Sequence, residues 1–311
     1  MVLKEYLIGT GGWAYFRIPG LNPLVAYSHA FNFVEVNTTF YQIPKIEEVE
    51  KWRKLVPNDF QFSVRAHHSI THTYKLAPKA ESLETLERMR QICNILKAEV
   101  LHMQTPPTLK ITEEAIANLR DLINSADLGR LRLALEIRSK EQLPAAMVRF
   151  MQDNGIIHCV DLSKGETPAY QSDVLYTRLF GKGKHNIYQP SDEELEEVDN
   201  RVLSSKAEKA SVAIHFMRMN KDAARLKIYK QTGKFPPITR STGLMSLDEV
   251  LSEDATFPST KQELVEKQGW KLFDNTSEER IRTANALEKL PEKTYKSVDD
   301  VICTLNRIME R

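Results

Sequence analysis

The chain has 311 residues, of which 41% are hydrophobic and 27% charged, with a formal net charge of +1. That length carries one large α/β domain plus an appendage, and the balance is that of a globular protein with no global pull towards nucleic acid or an anionic membrane. No apolar stretch approaches the roughly 20 residues that span a bilayer, so no membrane segment is expected.

The opening residues lack a signal-peptide pattern and lead straight into a strand, which points to a cytoplasmic protein. Cys93, Cys159 and Cys303 are far apart, odd in number and form no Cys-x-x-Cys pair. Reduced, mostly buried thiols are expected, with neither a disulfide framework nor a thiolate zinc site.

Eight short apolar runs follow one another, near 5–8, 32–36, 60–65, 98–103, 131–137, 156–160, 174–179 and 211–216. Helical patterns fill most of the gaps, near 22–30, 46–55, 82–97, 112–125, 140–153, 192–209 and 220–231. Thr112 is placed to cap a helix whose first turn carries Glu113 and Glu114. Strands alternating with helices imply a parallel sheet, and eight such units predict a TIM-type (β/α)8 barrel over residues 1–230. The irregular connection is 161–173, where Gly165 and Pro168 leave no room for a full crossover helix. A doubly wound open sheet is the alternative, but Gly9-Thr10-Gly11-Gly12 lacks the spacing of a dinucleotide-binding turn.

Residues 231–311 change character after Gly233-Lys234-Phe235-Pro236-Pro237, a linker signal. Charged helical patterns near 246–252, 259–268, 276–289 and 297–310 predict a small C-terminal helical appendage. It holds 12 Lys and Arg against 14 Asp and Glu, which does not describe a DNA-binding arm. Trp270 and Phe273 are expected in its core.

In such a barrel the active site lies at the C-terminal ends of the strands. There the chain places Trp13, then Glu35 and Asn37 followed by Tyr41, then Arg65 leading to His67, His68 and His72. Gln104, Glu136 with Arg138, Asp161, Arg178 and the stretch His215 to Asn220 complete the series. A carboxylate that ends a buried strand costs several kcal/mol unless it is paired. One such residue has a simple explanation as a cap or a solvated end; a full ring of them predicts one basin with acid–base capacity and an affinity for anions. Glu35, Glu136, Asp161 and His72 are the expected catalytic groups. Trp13, Asn37, Tyr41, Arg65, Gln104, Arg138, Arg178 and Asn220 are the expected substrate-binding groups. The cofactor is left open. Oxygens of Glu35, Glu136 and Asp161 would admit a hard divalent cation, and zinc would want a histidine in addition, with His67, His68, His72, His102 and His215 as candidates. A metal is not favoured, because no zinc spacing is present and three arginines compete for the same carboxylates.

Seven motifs in order, Gly9-Thr-Gly-Gly-Trp13, Glu35-Val-Asn-Thr-Thr-Phe-Tyr41, Phe62-Ser-Val-Arg65, Thr71-His72, Gln104-Thr-Pro-Pro107, Glu136-Ile-Arg138 and Arg178-Leu-Phe-Gly181, resemble the YecE-like family, domain-of-unknown-function family 72. The resemblance covers roughly residues 6–230. It implies a TIM-type barrel similar in shape to endonuclease IV and xylose isomerase, and no established reaction. Arg65 stands where the family usually has lysine, and Phe180 where it usually has histidine.

The function expected from these readings is an enzyme acting on a phosphate-bearing sugar or a nucleic-acid substrate, by phosphoester hydrolysis or sugar isomerisation. The alternative is a non-catalytic module that binds a small anion or nucleic acid, with a partner-binding C-terminal extension.

Overall fold

The computed structural model describes residues 2–310. They form two compact units, one of residues 2–179 and 198–215, the other of residues 180–197 and 216–310.

The first unit is built on eight parallel strands: β1 (Glu5–Thr10), β2 (Phe33–Val36), β3 (Gln61–Arg65), β4 (Val100–Gln104), β5 (Arg132–Glu136), β6 (Ile157–His158), β7 (Val174–Leu179) and β8 (Lys209–Ile214). Their order is β6-β5-β4-β3-β2-β1-β8-β7. A parallel bridge between Val160 and Thr177 joins the two ends, so the sheet closes into the expected TIM-type barrel. All four residues of β2 are buried, and so are all five of β4. That two-sided burial explains why these strands read as near-continuous apolar runs.

Helices α1 (Pro23–Ala30), α2 (Ile46–Lys54), α3 (Ala80–Leu96), α4 (Glu113–Asn124) and α5 (Ala145–Asp153) connect the first six strands. Local signals set the starts of α1 and α4. The Asn22 side chain accepts the Leu24 N–H at 2.9 Å with Pro23 in the first turn, and Thr112 Oγ1 accepts the Ala115 N–H at 3.2 Å. Both satisfy amides that the helix leaves unpaired.

Between β6 and β7 the crossover holds one 3₁₀ turn, Leu162–Lys164, as the Gly165–Pro168 stretch predicts. A side chain carries the seam there. Thr177 Oγ1 donates to the Val160 carbonyl at 2.7 Å and accepts the Leu162 N–H at 3.3 Å. The barrel floor is filled by Leu7, Phe33, Val100, Ala134, Ile157, Cys159, Tyr176 and Ala213.

The second unit gathers 180–197 and α7 (Met219–Thr232) with the tail. A buried polar network runs through it. Arg225 donates to Asp222 Oδ1 at 2.9 Å, to the Pro190 carbonyl at 3.0 Å and to Asp192 Oδ1 at 2.6 Å. Arg280 reaches Asp192 Oδ2 at 2.8 Å and Asp274 Oδ1 at 3.1 Å. The tail is not purely helical. Besides α8 (Gly243–Ser252), α9 (Lys261–Gln268), α10 (Ala284–Leu287) and α11 (Val298–Met309), it has two small antiparallel sheets. The charged stretch expected as a helix near 276–289 contains a strand, Arg280–Arg282, paired with Leu272–Asp274. Leu247, Leu251, Phe273, Tyr295 and Leu305 are among its core residues. Phe273 is buried as expected, whereas Trp270 is half-buried and donates its indole N–H to the Lys267 carbonyl at 2.9 Å.

Among the described residues no helix is long and apolar enough to cross a membrane.

Candidate active site at the barrel mouth

Parallel pairing puts the ends of β2, β3, β4, β5 and β7 at one end of the barrel, with Glu35 opposite Ser63 and Gln104 opposite Glu136. Arg178, near the end of β7, lies at the centre. Its Nε stands 2.9 Å from Glu35 Oε2 and its Nη2 3.0 Å from Glu35 Oε1. Its Nη1 donates to Glu136 Oε2 at 2.7 Å and to Gln104 Oε1 at 3.2 Å. Arg178 and Glu35 are both fully buried.

Further groups fix these carboxylates. Tyr176 donates its hydroxyl to Glu35 Oε2 at 2.6 Å and lies 2.8 Å from Ser63 Oγ. His215 Nε2 stands 3.2 Å from Glu35 Oε1, and His102 Nε2 3.1 Å from Glu136 Oε2. Arg138 Nε donates to Glu136 Oε1 at 2.6 Å from a partly exposed position.

The charge states follow from this packing. Burial pushes the Glu35 and Glu136 carboxyls up, but the Arg178 guanidinium beside both holds them well below the usual carboxylate range. The same two carboxylates outweigh the burial of Arg178 and keep it charged. Burial, reinforced by Arg178, lowers His102 to about 4 and lowers His215 as well, so both imidazoles are neutral near pH 7.

Arg65 has a different environment. Its Nη1 donates to Asn37 Oδ1 at 2.8 Å and its Nη2 to Gln104 Oε1, both neutral acceptors. Its guanidinium carbon lies 3.5 Å from the centre of the Phe40 ring. Burial and the charge of Arg178 draw it down to about 10, so it remains a cation. Around Phe40 stand Tyr41, His68 and His72, with ring centres 5.0, 5.7 and 5.2 Å away. His72 lies in a single π-helical turn, Ser69–Thr73, and its Nδ1 is 2.9 Å from Thr71 Oγ1. Such turns often occur at functional sites.

Seven of the residues singled out in the sequence therefore form one connected set: Glu35, Asn37, Arg65, Gln104, Glu136, Arg138 and Arg178. His72 and Tyr41 adjoin it through Phe40. Trp13 instead packs edge-on against Trp52 and Phe62, with centroids 5.3 and 6.5 Å away. Asp161 accepts the Ser163 N–H of its own 3₁₀ turn at 3.0 Å and lies 3.5 Å from Lys164 Nζ. Those contacts describe a cap on the connection after β6. Asn220 belongs to the second unit, in the first turn of α7.

Three members have no assigned role in the sequence reading beyond, for His102, metal candidacy: Tyr176, His102 and Ser63. Each lies two residues before a predicted site residue on the same strand. Side chains alternate along a strand, so i−2 shares the inward face, and that was the available signal.

Among the described residues, one set of side chains has a metal-binding composition. A ring nitrogen of His102, a carboxylate oxygen of Glu136 and the sulfur of Cys159 lie within 4.8 Å of one another, all buried. Imidazole, carboxylate and thiolate suit zinc. Two features of the chain oppose it. Arg178 already takes Glu136 Oε2, and burial with the nearby Glu136 charge pushes the Cys159 thiol well up. A guanidinium occupies the position between the carboxylates that an ion would need.

Against this geometry the comparisons with known proteins can be placed. The family model described as "Protein of unknown function DUF72" matches residues 7–231. The chain belongs to this family. The DUF72 match contains every residue of the cluster and ends before α8. A Bacillus subtilis relative, UPF0759 protein YunF, is 28% identical over 184 residues, covering 54% of this chain and 64% of its own length. UPF0759 protein YecE of Escherichia coli K12 is 42% identical over 53 residues, 17% of this chain and 20% of its own. The matched stretch thus spans less than two thirds of either curated relative. Among solved structures, a DUF72 protein of Thermotoga maritima superposes with a TM-score of 0.61 at 20% identity, covering 73% of this chain and 99% of that one. One from Enterococcus faecalis gives 0.59 at 19% identity, covering 75% and 100%. These likenesses carry the barrel fold.

Proposed function

We propose that the barrel mouth binds the anionic group of a small phosphate-bearing sugar, and that the protein is an enzyme that moves a proton on that substrate. One observation carries the reading. Arg65 is a cation only 7% exposed whose hydrogen-bonding partners among the described residues are neutral amide oxygens. A buried charge without a counter-charge in contact is costly, and a bound anion removes that cost. A guanidinium fork suits a phosphate, and Arg138 at the rim adds a second.

The proton carrier follows from what is accessible. Glu35 is sealed, and Glu136 is committed to Arg178 and Arg138. His72 is half-buried beside Phe40, and burial and the Arg65 charge lower its pKa. In this reading His72 is the general base, Tyr41 and Phe40 offer stacking faces, and the Glu35–Arg178–Glu136 triad fixes the electrostatic field. Sugar isomerisation fits better than phosphoester hydrolysis, because neither carboxylate is open to activate a water.

Calorimetric titration with inorganic phosphate and with hexose and pentose phosphates tests the binding step. Arg65→Met is expected to weaken phosphate binding about tenfold or more. His72→Gln is expected to retain binding while abolishing turnover of whichever sugar phosphate is isomerised. Equal phosphate affinity in Arg65→Met and the parent sinks the anion site. Tight binding with no turnover across sugar-phosphate, phosphate-ester and abasic-DNA panels makes the protein a binding module instead.

A further inference from the structure

Each of the first five crossovers in the barrel carries a helix, whereas the crossover from β6 to β7 holds one 3₁₀ turn and a loop. A cavity of about 210 Å³ lies against these two strands, walled by residues of the first unit. Ile157, Cys159 and Tyr176 point into the barrel floor, so the alternate residues His158 and Leu175 face outward, into this space.

We propose that this cavity is a second ligand site, for a small neutral ring compound that carries one hydrogen-bond acceptor, such as an aryl ketone. Size points to the ring. A dry cavity of roughly 150 Å³ takes benzene, so the larger volume here holds a ring with a short substituent. The walls agree. Leu162, Leu175, Pro168 and Ala207 are apolar, and the Tyr170 hydroxyl is committed to the Ile156 carbonyl, which fixes its ring as a further wall. His158 points to the acceptor. Its Nδ1 accepts the Ala169 N–H at 3.0 Å, so the ring proton sits on Nε2. Burial lowers its pKa and keeps it neutral. None of the described residues takes that Nε2–H, and a ligand carbonyl would satisfy it. The charges point to a neutral ligand. Arg201, on α6 (Asp192–Ser204), is the one formal charge among the described lining residues, and it is already engaged, donating to the Gly165 carbonyl at 3.4 Å. A carboxylate would enter without a free counter-charge, at a cost that a neutral acceptor does not meet.

The place in the fold gives occupancy a consequence. β6 and β7 meet through the Val160–Thr177 bridge, and a ligand packed on both strands covers the outer face that the crossover leaves without a helix. It binds the closed barrel and not the unfolded chain, so it raises the melting temperature. The cavity shares no lining residue with the barrel-mouth cluster, so binding here does not depend on the anion site at the mouth.

The test uses the full chain with acetophenone as probe. α-Methylstyrene has the same shape without the acceptor, and benzoate has a ring of the same size with a charge. Binding is followed by calorimetry and by the melting temperature. Acetophenone is expected to bind saturably, to raise the melting temperature, and to bind about tenfold or more tighter than benzoate. His158→Phe is expected to lower the ratio of acetophenone to α-methylstyrene affinity about fivefold, the effect of one hydrogen bond. Ala207→Leu is expected to fill the cavity, to keep the melting temperature and to abolish acetophenone binding. Leu175→Phe fills the same space from β7 should Ala207→Leu fail to fold. The proposal is overturned if acetophenone shows no saturable binding, if benzoate binds as tightly, if the affinity ratio is unchanged in His158→Phe, or if acetophenone binding survives in a folded cavity-filling variant.

Discussion

Arg178 and Glu35 meet side-on, with Nε 2.9 Å from one carboxylate oxygen and Nη2 3.0 Å from the other, and the two side chains are 1% and 0% exposed. A pair shut away from water in this way is held by geometry and by mutual dependence. Either charge alone in that position would be strongly disfavoured.

Arg178→Met should therefore destabilise the protein severely. It leaves Glu35 without its guanidinium and removes a 2.7 Å partner from Glu136. The expected loss is about 3–5 kcal/mol of unfolding free energy. Combining it with Glu35→Gln should cost less than the sum of the two single changes, because each removes the penalty the other creates. Urea denaturation of the four proteins measures this; strictly additive losses would show that the two groups do not depend on each other.

The pH profile follows from the same cluster. His102 is lowered by burial to about 4, so between its ordinary value near 6.5 and pH 4 the unfolded chain holds a proton that the folded chain does not. Its contribution is present above pH 6.5 and is lost as pH falls towards 4. His215 acts in the same direction. Glu35 and Glu136, depressed by Arg178 against the effect of burial, add a contribution that is lost below the ordinary carboxylate value. Stability should fall in two stages on acidification. The His102 stage is worth about 3 kcal/mol. In His102→Gln the urea midpoint should change less between pH 6.5 and pH 5 than in the parent; an identical slope would place the proton uptake elsewhere.

The barrel was legible because its signals are local and repeated. Runs such as Phe33–Val36 are buried on both faces and apolar apart from Glu35, and most are followed by a helical pattern, in places with its own cap, such as Thr112 before α4. The ring of site residues was legible because Glu35, Arg65, Glu136 and Arg178 are charges at the ends of apolar runs. Three things were not. Tyr176, Ser63 and His102 look like ordinary strand residues until the strand's facing is fixed by its neighbours. Asp161 has the same sequence context as Glu136, yet its carboxylate turns back to the Ser163 amide, a choice made by the 3₁₀ turn after β6. The stretch 276–289 has helical composition, but Arg280–Arg282 pairs as a strand with Leu272–Asp274, and its Arg280 side chain reaches Asp274 and Asp192. Long-range pairing outweighed local propensity there.

Gly11 is required by His215. A Cβ at this position would stand 2.1 Å from the imidazole Cε1 and 2.3 Å from Nδ1. His215 is itself packed with Nε2 3.2 Å from Glu35. Gly11→Ala should push the ring away from Glu35 and destabilise the protein by about 1–3 kcal/mol. The His215 ring resonances in an NMR titration report the displacement directly. Gly11→Ala with unchanged His215 shifts and unchanged stability would mean that the ring has room the geometry does not indicate.

The seam between β6 and β7 gives the last prediction. Thr177 is fully buried, and its hydroxyl both donates to the Val160 carbonyl at 2.7 Å and accepts the Leu162 amide at 3.3 Å. Valine has nearly the same shape but no hydroxyl, so Thr177→Val leaves one buried acceptor and one buried donor without this partner. Each such loss costs about 1–3 kcal/mol. Because the damage is confined to the place where the barrel closes, it should appear first as local opening. Hydrogen exchange of peptides covering 160–165 should accelerate more than exchange in β1 or β8, which pair with each other along six residues. Uniform acceleration across all strands would show that the barrel opens only as a whole; no acceleration at 160–165 would show that closure there does not rest on the Thr177 hydroxyl.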